Sequence, residues 1–134
     1  MSHIPLVLTI DDEPEITSLI SMALTLDGLE VAVANNVFEG MSAITEQMPD
    51  VILLDIMMPG IDGWLFCETL RRDEATRDIP IVFVSALRGA ADKAKAASLG
   101  ASGYVTKPFS IADLRSEVAR HVRESRHQGL RATR

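Results

Sequence analysis

Three acidic residues and one lysine each come directly after a run of apolar, β-forming residues. They are Asp11 and Asp12 after Pro5–Ile10, Asp55 after Val51–Leu54, and Lys107 after Ser102–Thr106. A run that ends abruptly in charge is typical of a parallel strand that stops at the carboxyl edge of a sheet, where open α/β sheets place their ligand sites. Gathering three carboxylates in one crevice costs repulsion unless a cation lies among them. We therefore expect a site for a hard divalent ion with oxygen ligands, most simply Mg²⁺.

The elements that must position these residues follow an alternating pattern of short apolar runs and amphipathic stretches. The predicted strands are Pro5–Ile10, Glu30–Ala34, Val51–Leu54, Ile79–Val84 and Ser102–Thr106. Four of them lack polar alternation, as expected of strands that are buried on both faces, and Glu30–Ala34 is interpreted as an edge strand. The stretches between them predict helices. Five β–α units in succession indicate a parallel sheet with helices on both faces.

Each predicted helix has an apolar face that should pack on the sheet. The residues of these faces, in chain order, are Ile16, Leu19, Ile20 and Ala23; Val37, Met41, Ile44 and Met48; Phe66, Cys67 and Leu70; Ala90, Ala94 and Ala97; and Ile111, Leu114, Val118 and Val122. The fourth helix, from about Ala90 to Leu99, offers mainly alanine, so it has little area to bury and should be held loosely. Ser110 is the expected N-cap of the fifth helix.

Length and charge indicate an ordinary soluble domain. The chain has 134 residues and a formal net charge of −6, which argues mildly against nucleic acid as the main partner. Residues 115–134 hold six arginines against two glutamates, so residues 1–114 carry −10. With a single cysteine, Cys67, no recognisable signal peptide and no membrane-spanning run, we expect a cytoplasmic protein without membrane insertion. The segment 125–134 lacks apolar periodicity and is expected to be frayed or disordered.

Four landmarks in this order resemble those of response-regulator receiver domains. Val51–Gly63 is similar to their phosphoacceptor motif, Asp11-Asp12-Glu13 to their acidic pair, Ser85-Ala86 to their hydroxyl position, and Gly100–Phe109 to their lysine–proline end. The resemblance covers residues 4 to about 124, which we assign as one receiver domain. It implies the flavodoxin-like fold, an α/β fold with strand order 2-1-3-4-5.

The resemblance also implies a phosphoacceptor and a metal site. Asp55 would be the nucleophile that forms an acyl phosphate. Mg²⁺ (or Mn²⁺) would be held by Asp12, Asp55 and the backbone carbonyl of Met57, and Asp11 would act largely through a metal-bound water. From the residues alone, Asp11 or Asp12 could cap the following helix, since aspartate does so well. Both interpretations can hold, because one carboxylate can cap the helix while the other binds the metal.

Further residues of the resemblance concern charge and switching. Lys107 would bring a positive charge to the phosphoryl oxygens, and the Lys107–Pro108 bond would be cis, which only an X–Pro bond readily permits. Ser85 would offer its hydroxyl to the phosphoryl group, although alone it could be a helix N-cap. Tyr104 matches an aromatic switch position, although an aromatic residue on a strand is more often simply packed. The output would be a changed surface on the fourth helix, fifth strand and fifth helix.

The expected function is therefore signalling in a two-component phosphorelay. A histidine kinase or a histidine phosphotransfer protein would supply the phosphoryl group, and a downstream protein would read the result. We interpret the chain as a stand-alone receiver domain; the alternative is a piece of a longer protein with a DNA-binding or enzymatic domain, and the residues do not decide between the two. It would catalyse only its own phosphorylation and dephosphorylation. Met57 and Leu87 occupy positions that, in the family, influence attack of water on the acyl phosphate, so we expect a long-lived phosphoryl group. The alternatives are a phosphorylation-independent interaction module and a metal-dependent phosphatase, which Met57 disfavours because it cannot act as a general base.

Overall fold

The computed structural model describes residues 3–58 and 62–132, with the backbone alone for 124–132. Within these ranges five strands and five helices alternate. The strands are β1 Leu6–Ile10, β2 Glu30–Ala34, β3 Val51–Leu54, β4 Ile81–Ser85 and β5 Gly103–Thr106, and the helices are α1 Pro14–Leu26, α2 Val37–Glu46, α3 Gly63–Arg72, α4 Ala90–Ser98 and α5 Ile111–Ala132. Pro59, Gly60 and Ile61 of the predicted phosphoacceptor motif lie outside the described residues.

The described strands form a parallel sheet in the order β2-β1-β3-β4-β5, which confirms the predicted fold. The order places β1 and β3 side by side at the centre, with β4 next to β3, so three of the predicted site segments emerge from neighbouring strands. The carboxyl ends of parallel strands share one edge, and the loops that follow β1, β3, β4 and β5 therefore meet there.

Two apolar layers cover the sheet, because successive side chains of a strand point to opposite faces. One layer contains α1 and α5, with Ile20, Leu24, Leu114 and Val118 packed on Val7, Leu53 and Val82. The other contains α2, α3 and α4, with Ile44, Phe66, Leu70 and Ala96 packed on Ile10, Leu54 and Phe83. Strands β1, β3 and β4 are buried along their whole length, as their uninterrupted apolar runs predict. The same prediction is wrong for β5, which lies at the edge of the sheet and in which only Val105 is buried.

Some helix faces differ from the prediction. Leu19, Met41 and Met48 are exposed, and Gly40 is buried in α2. In α4 the predicted face of Ala90, Ala94 and Ala97 is wrong: all three are exposed, and Ala96 is the buried residue. Alanine occurs on several sides of this helix, so its positions carry almost no signal of amphipathicity. The inference that α4 buries little area is nevertheless supported.

The segment 125–132 is also helical, although the sequence predicts a frayed or disordered tail. Helix α5 continues to Ala132 because arginine, glutamine and alanine are good helix formers even without an apolar face. Residues 133 and 134 of the predicted tail lie outside the described residues.

Strands β1, β4 and β5 begin one or two residues later than predicted, at Leu6, Ile81 and Gly103. None of the described helices is long and apolar enough to cross a membrane.

Candidate functional site: an acidic cluster at the carboxyl edge

Four carboxylates converge where β1 and β3 end. One oxygen from each of Asp11, Asp12, Glu13 and Asp55 lies within 4.8 Å of the others. Asp11 and Asp55 are buried, whereas Asp12 and Glu13 are exposed. The register of β1 and β3 explains the convergence: Ile10 pairs with Leu54, so the next residues on the two strands, Asp11 and Asp55, are neighbours.

Backbone hydrogen bonds orient the two buried carboxylates in the same way. The backbone N–H of Glu13 donates to Asp11 Oδ1 over 3.0 Å, and the backbone N–H of Met57 donates to Asp55 Oδ1, also over 3.0 Å. Each bond joins a residue to the carboxylate two positions earlier. This leaves the Oδ2 atoms of Asp11 and Asp55 directed into the cluster.

Lys107 reaches these atoms from the end of β5. Its ammonium Nζ lies 2.8 Å from Asp11 Oδ2, 2.8 Å from Glu13 Oε1 and 3.3 Å from Asp55 Oδ2. Burial lowers the pKa of Lys107, but hydrogen bonds to Asp11 and Glu13 outweigh it and raise that pKa. The ammonium therefore stays charged, as an internal counter-ion to the carboxylates.

Burial shifts the pKa of Asp11 in the opposite direction from that of Lys107, because the charged form of a carboxyl is the deprotonated one. It raises the pKa of this carboxyl, and the hydrogen bond from Lys107 offsets part of the rise. One ammonium does not neutralise four carboxylates, so the cluster retains excess negative charge. Oxygen donors with a net negative charge, at a spacing of a few ångströms, are the ligands that hard divalent ions such as Mg²⁺ prefer.

The donor set thus fits a magnesium ion. Asp11, Asp12 and Asp55, with Glu13 beside them, are the described carboxylates that could hold it. Met57 could contribute only its backbone carbonyl, because a thioether sulfur is too soft for Mg²⁺. Gly63, the first residue of α3, lies against the backbone of Asp55: a Cβ there would be 2.9 Å from Ile56 Cα and 3.0 Å from the Asp55 carbonyl oxygen. The absence of a side chain lets α3 begin this close to the site.

Ser85 and Lys107 are joined through the backbone. The Lys107 N–H donates to the Ser85 carbonyl over 2.8 Å, and the Lys107–Pro108 peptide bond is cis, the isomer that the resemblance implies. Ser85 is fully buried, and its Oγ accepts a 3.2 Å hydrogen bond from the Leu87 N–H. The N-cap of α4 is Gly89, so Ser85 does not cap that helix.

Tyr104 lies half-buried on β5, on the same side of the sheet as α4. Its ring packs edge-on against Phe83 with 6.2 Å between the ring centroids, and its hydroxyl donates to the Leu87 carbonyl over 2.5 Å. Burial raises the pKa of this phenol. The ring is therefore both packed, as an ordinary strand aromatic would be, and bonded to the loop that carries Ser85.

The capping interpretation of the acidic pair finds no support. The N-cap of α1 is Glu13, which makes no side-chain capping bond, and Pro14 opens the helix. The Asp11 carboxylate instead accepts from the Glu13 N–H, one residue before the helix begins.

Two residues near the site were not singled out from the sequence. The sequence places Glu13 within the acidic motif but does not predict its ion pair with Lys107. The position of Glu13 next to the acidic pair is the signal for that contact. Arg88, in the β4–α4 loop, donates a 3.0 Å hydrogen bond to the Lys107 carbonyl. An arginine in a surface loop carries no sequence signal for such a contact.

Comparison with known proteins agrees with this geometry. The family model described as response regulator receiver domain matches residues 7–119. The DNA-binding dual master transcriptional regulator RpaA of Synechocystis is 40% identical over 114 residues, which are 85% of this chain and 47% of that protein. The chain spans about half the length of the curated relatives it matches.

Solved structures give the same result. The receiver domain of the Francisella response regulator 1452 superposes with a TM-score of 0.83 at 31% identity, covering 90% of this chain and 98% of that one. The chemotaxis response regulator CheY4 of Vibrio cholerae gives a TM-score of 0.83 at 27% identity, covering 89% and 99%. With the sheet order and the matched residues, these similarities identify the chain: it belongs to the response regulator receiver domains and functions in phosphorelay signalling.

Proposed function

We propose that Asp55 receives a phosphoryl group from the phosphohistidine of a histidine kinase or a phosphotransfer protein. The observation that carries the proposal is the position of the Asp55 carboxylate. It is buried at the carboxyl edge of the sheet, one oxygen accepts from the Met57 N–H, and the other lies 3.3 Å from the Lys107 ammonium among three further carboxylates.

The chemical step is a displacement at phosphorus. An oxygen of the Asp55 carboxylate forms the new P–O bond as the P–N bond to the donor imidazole breaks, and the departing imidazole keeps the electron pair of that bond and takes up a proton from solvent. The Met57 N–H fixes one Asp55 oxygen, which favours the other as the attacking atom. Lys107, already within reach of that atom, would hold an oxygen of the transferred group and balance its charge.

Asp11, Asp12, Asp55 and the Met57 carbonyl would hold Mg²⁺ (or Mn²⁺), which when bound neutralises charge on the phosphoryl group. The carboxylates of this chain then have two roles. They gather the cation beside Asp55, and they share Lys107 in its absence. Lys107 pairs with Asp11 and Glu13 as well as lying near Asp55, so its ammonium is already beside the carboxylate that would carry the phosphoryl group.

Ser85 and Tyr104 would convert phosphorylation into a change of surface. Ser85 is buried with its hydroxyl already in a hydrogen bond from the Leu87 N–H, and Tyr104 is bonded to the Leu87 carbonyl. A shift of Ser85 toward the phosphoryl group would therefore alter both bonds. Helix α4 buries only Ala96, so it is the weakly held element that such a shift would move.

We further propose that the readout is protein contact and that the domain works in the cytoplasm, where a lone buried cysteine stays reduced. A net charge of −10 over residues 1–114 makes direct binding of nucleic acid by this domain unfavourable. The alternative, a phosphorylation-independent interaction module, is not favoured because the acceptor, the acidic cluster and the lysine are all present at one site.

The test is the intact mass after incubation with acetyl phosphate and Mg²⁺. We expect one added phosphoryl group in the wild type and none in Asp55→Asn or without Mg²⁺. Asp62→Asn is the matched control: Asp62 caps α3 on the same loop, and asparagine can accept the same hydrogen bond from the Leu65 N–H. Phosphorylation that persists in Asp55→Asn would overturn the assignment of the acceptor.

A further inference from the structure

Arg88 contacts the backbone of Lys107 from the β4–α4 loop. Its guanidinium Nη2 donates to the Lys107 carbonyl over 3.0 Å, across a separation of 19 residues. None of the ion pairs among the described side chains involves Arg88. The Lys107 carbonyl is therefore the contact that holds this otherwise exposed side chain in place.

Both backbone polar groups of Lys107 are held by the same loop region. The Lys107 N–H donates to the Ser85 carbonyl over 2.8 Å, and the Lys107 carbonyl accepts from Arg88. The lysine side chain is long and has many rotamers, so the place where its backbone is fixed limits where the ammonium can lie. Fixing the backbone on both sides restricts Nζ to the region between Asp11, Glu13 and Asp55.

Two hydrogen bonds to the backbone of Leu87 hold the loop that carries Arg88. The Leu87 N–H donates to Ser85 Oγ, and the Leu87 carbonyl accepts from the Tyr104 hydroxyl. Arg88 is the next residue in the chain. Any movement of Ser85 and Leu87 therefore carries the backbone of Arg88 with it, and the bond to Lys107 must follow or break.

We propose that Arg88 is a positioning residue for Lys107, which couples the placement of the ammonium to the conformation of the Ser85–Arg88 loop. The inference rests on the proposed function, in which Lys107 serves the phosphoryl group. Arg88 contributes through a hydrogen bond to a carbonyl, so its effect on the reaction must pass through Lys107.

The first experiment needs no phosphorylation. The chain has three lysines, and Lys93 and Lys95 are exposed, so reductive methylation read by peptide mass spectrometry can compare Lys107 with two internal references. In Arg88→Gln we expect Lys107 to react about fivefold faster relative to Lys93 and Lys95, the ratio expected when one hydrogen bond is lost. Arg72→Gln, which removes an exposed arginine on α3, should leave the ratio unchanged. An unchanged ratio in Arg88→Gln would overturn the proposal.

The second experiment is a double-mutant cycle on the rate of phosphorylation by acetyl phosphate. Arg88→Gln should slow the reaction about fivefold when Lys107 is present and have no effect in Lys107→Ala. Arg88→Lys, which keeps the charge and one donor, should recover part of the rate. Equal slowing in both backgrounds would mean that Arg88 acts on the donor directly and would overturn the positioning role. If the wild type takes up no phosphoryl group, the proposed function fails, and the methylation result still decides the role of Arg88.

Discussion

The Tyr104 hydroxyl is bonded to the carbonyl of Leu87, a residue whose N–H is bonded to Ser85. Leu87 thus connects the two predicted switch residues through its own backbone. Burial raises the pKa of Tyr104 overall, although the Ser85 side chain is close enough to the phenol to lower that pKa in part. The hydrogen bonds of Leu87 thus couple the positions of Tyr104 and Ser85, as a two-state element requires.

Removal of the Tyr104 hydroxyl should loosen the β4–α4 loop while it keeps the ring packing. In Tyr104→Phe we expect the free energy of unfolding to fall by about 1 kcal/mol or less, the usual contribution of one hydrogen bond. Urea denaturation measures the free energy, and amide hydrogen exchange at Leu87 should accelerate. Exchange that is as slow as in the wild type would show that the bond does not restrain the loop.

The apolar side chains beside the acceptor should give the acyl phosphate a long lifetime. Met57 is 57% exposed and Leu87 is half-buried, and neither side chain can orient an attacking water. Met57→Asn introduces an amide that can, so we expect phosphoryl loss in Mg²⁺ to become several-fold faster by intact mass. Met48→Asn is the control, because Met48 is also exposed but precedes the amino end of β3, whereas Asp55 follows its carboxyl end. Rapid decay in the wild type that Met57→Asn leaves unchanged would contradict this prediction.

Arg71 and Arg72 are adjacent in α3 but should differ greatly in their effect on stability. Arg71 donates to the carbonyls of Gly100, Arg77 and Ile79 over 2.7–3.0 Å, whereas Arg72 is exposed and pairs with Glu68 alone among the described residues. In Arg71→Met we expect a loss of about 2–4 kcal/mol in the free energy of unfolding, because three hydrogen bonds from a charged donor are removed, one of them to the part-buried Ile79 carbonyl.

In Arg72→Met the loss should be under about 0.5 kcal/mol, as for other exposed i,i+4 pairs. Urea denaturation of the two variants side by side gives the comparison, since the substitution and the change of charge are identical. Similar losses in both would show that the contacts of Arg71 to the β4 and β5 loops do not matter for stability.

Gly40 should be harder to replace than its place in a helix suggests. Helix propensity alone favours alanine over glycine by about 1 kcal/mol, but a Cβ at Gly40 would lie 2.6 Å from Ile10 Cδ1 and 3.7 Å from the Phe66 ring. Ile10 is fully buried and cannot move freely, and overpacking a core costs about 1–3 kcal/mol. We therefore expect Gly40→Ala to lower the melting temperature, and a rise would mean that the core accommodates the methyl group.

The ion pair between Asp27 and Arg115 gives a prediction for pH dependence. The hydrogen bond from Arg115 holds the pKa of Asp27 below its usual value. A carboxyl whose pKa is lower in the folded state stabilises that state above its unfolded pKa, near 3.8, and loses this contribution as the pH falls through the folded pKa. Asp27→Asn should therefore be less stable than the wild type at neutral pH, and the difference should narrow as the pH falls below the unfolded pKa.

Urea denaturation of the wild type and Asp27→Asn measures how their free energies of unfolding differ. It should be done at several pH values from neutral to about pH 3, below the unfolded pKa of aspartate. Glu46→Gln removes another exposed carboxylate, one for which the described residues provide no ion pair, and should show no such dependence. If the free energies of unfolding of the wild type and Asp27→Asn differ by the same amount at every pH, the charge of Asp27 does not contribute to the stability that its pair with Arg115 provides.

The order of the sheet and the meeting of Asp11, Asp55 and Lys107 could be predicted because each residue directly follows a predicted strand, although β1 and β3 are buried along their whole length and β5 is a half-buried edge strand. An apolar run that stops at a charge defines the strand end, and parallel strands align such ends at one edge. The features that escaped prediction depend on tertiary contacts. Exposed Leu19 and Met41 look the same in the sequence as buried residues of equal size.

The two arginines with the most informative contacts, Arg71 and Arg88, carry no sequence signal either. Both donate to backbone carbonyls, and every residue has a carbonyl, so no partner side chain can be sought in the sequence. Helix α4 shows a related limit: alanine is compatible with both a buried and an exposed position, so the choice of Ala96 over Ala94 follows only from how the helix lies on the sheet.

The bond between Lys107 and Glu13 joins residues 94 positions apart. A ribosome must therefore complete β5 before the carboxylates at the ends of β1 and β3 meet their ammonium group. A nascent or truncated chain that ends after β4 has the acidic residues without Lys107, and closure of so long a loop comes at an entropic cost that later contacts must offset. Completion of the acceptor site thus coincides with completion of the sheet, so a chain that is cut short before β5 cannot present a finished site to a phosphodonor.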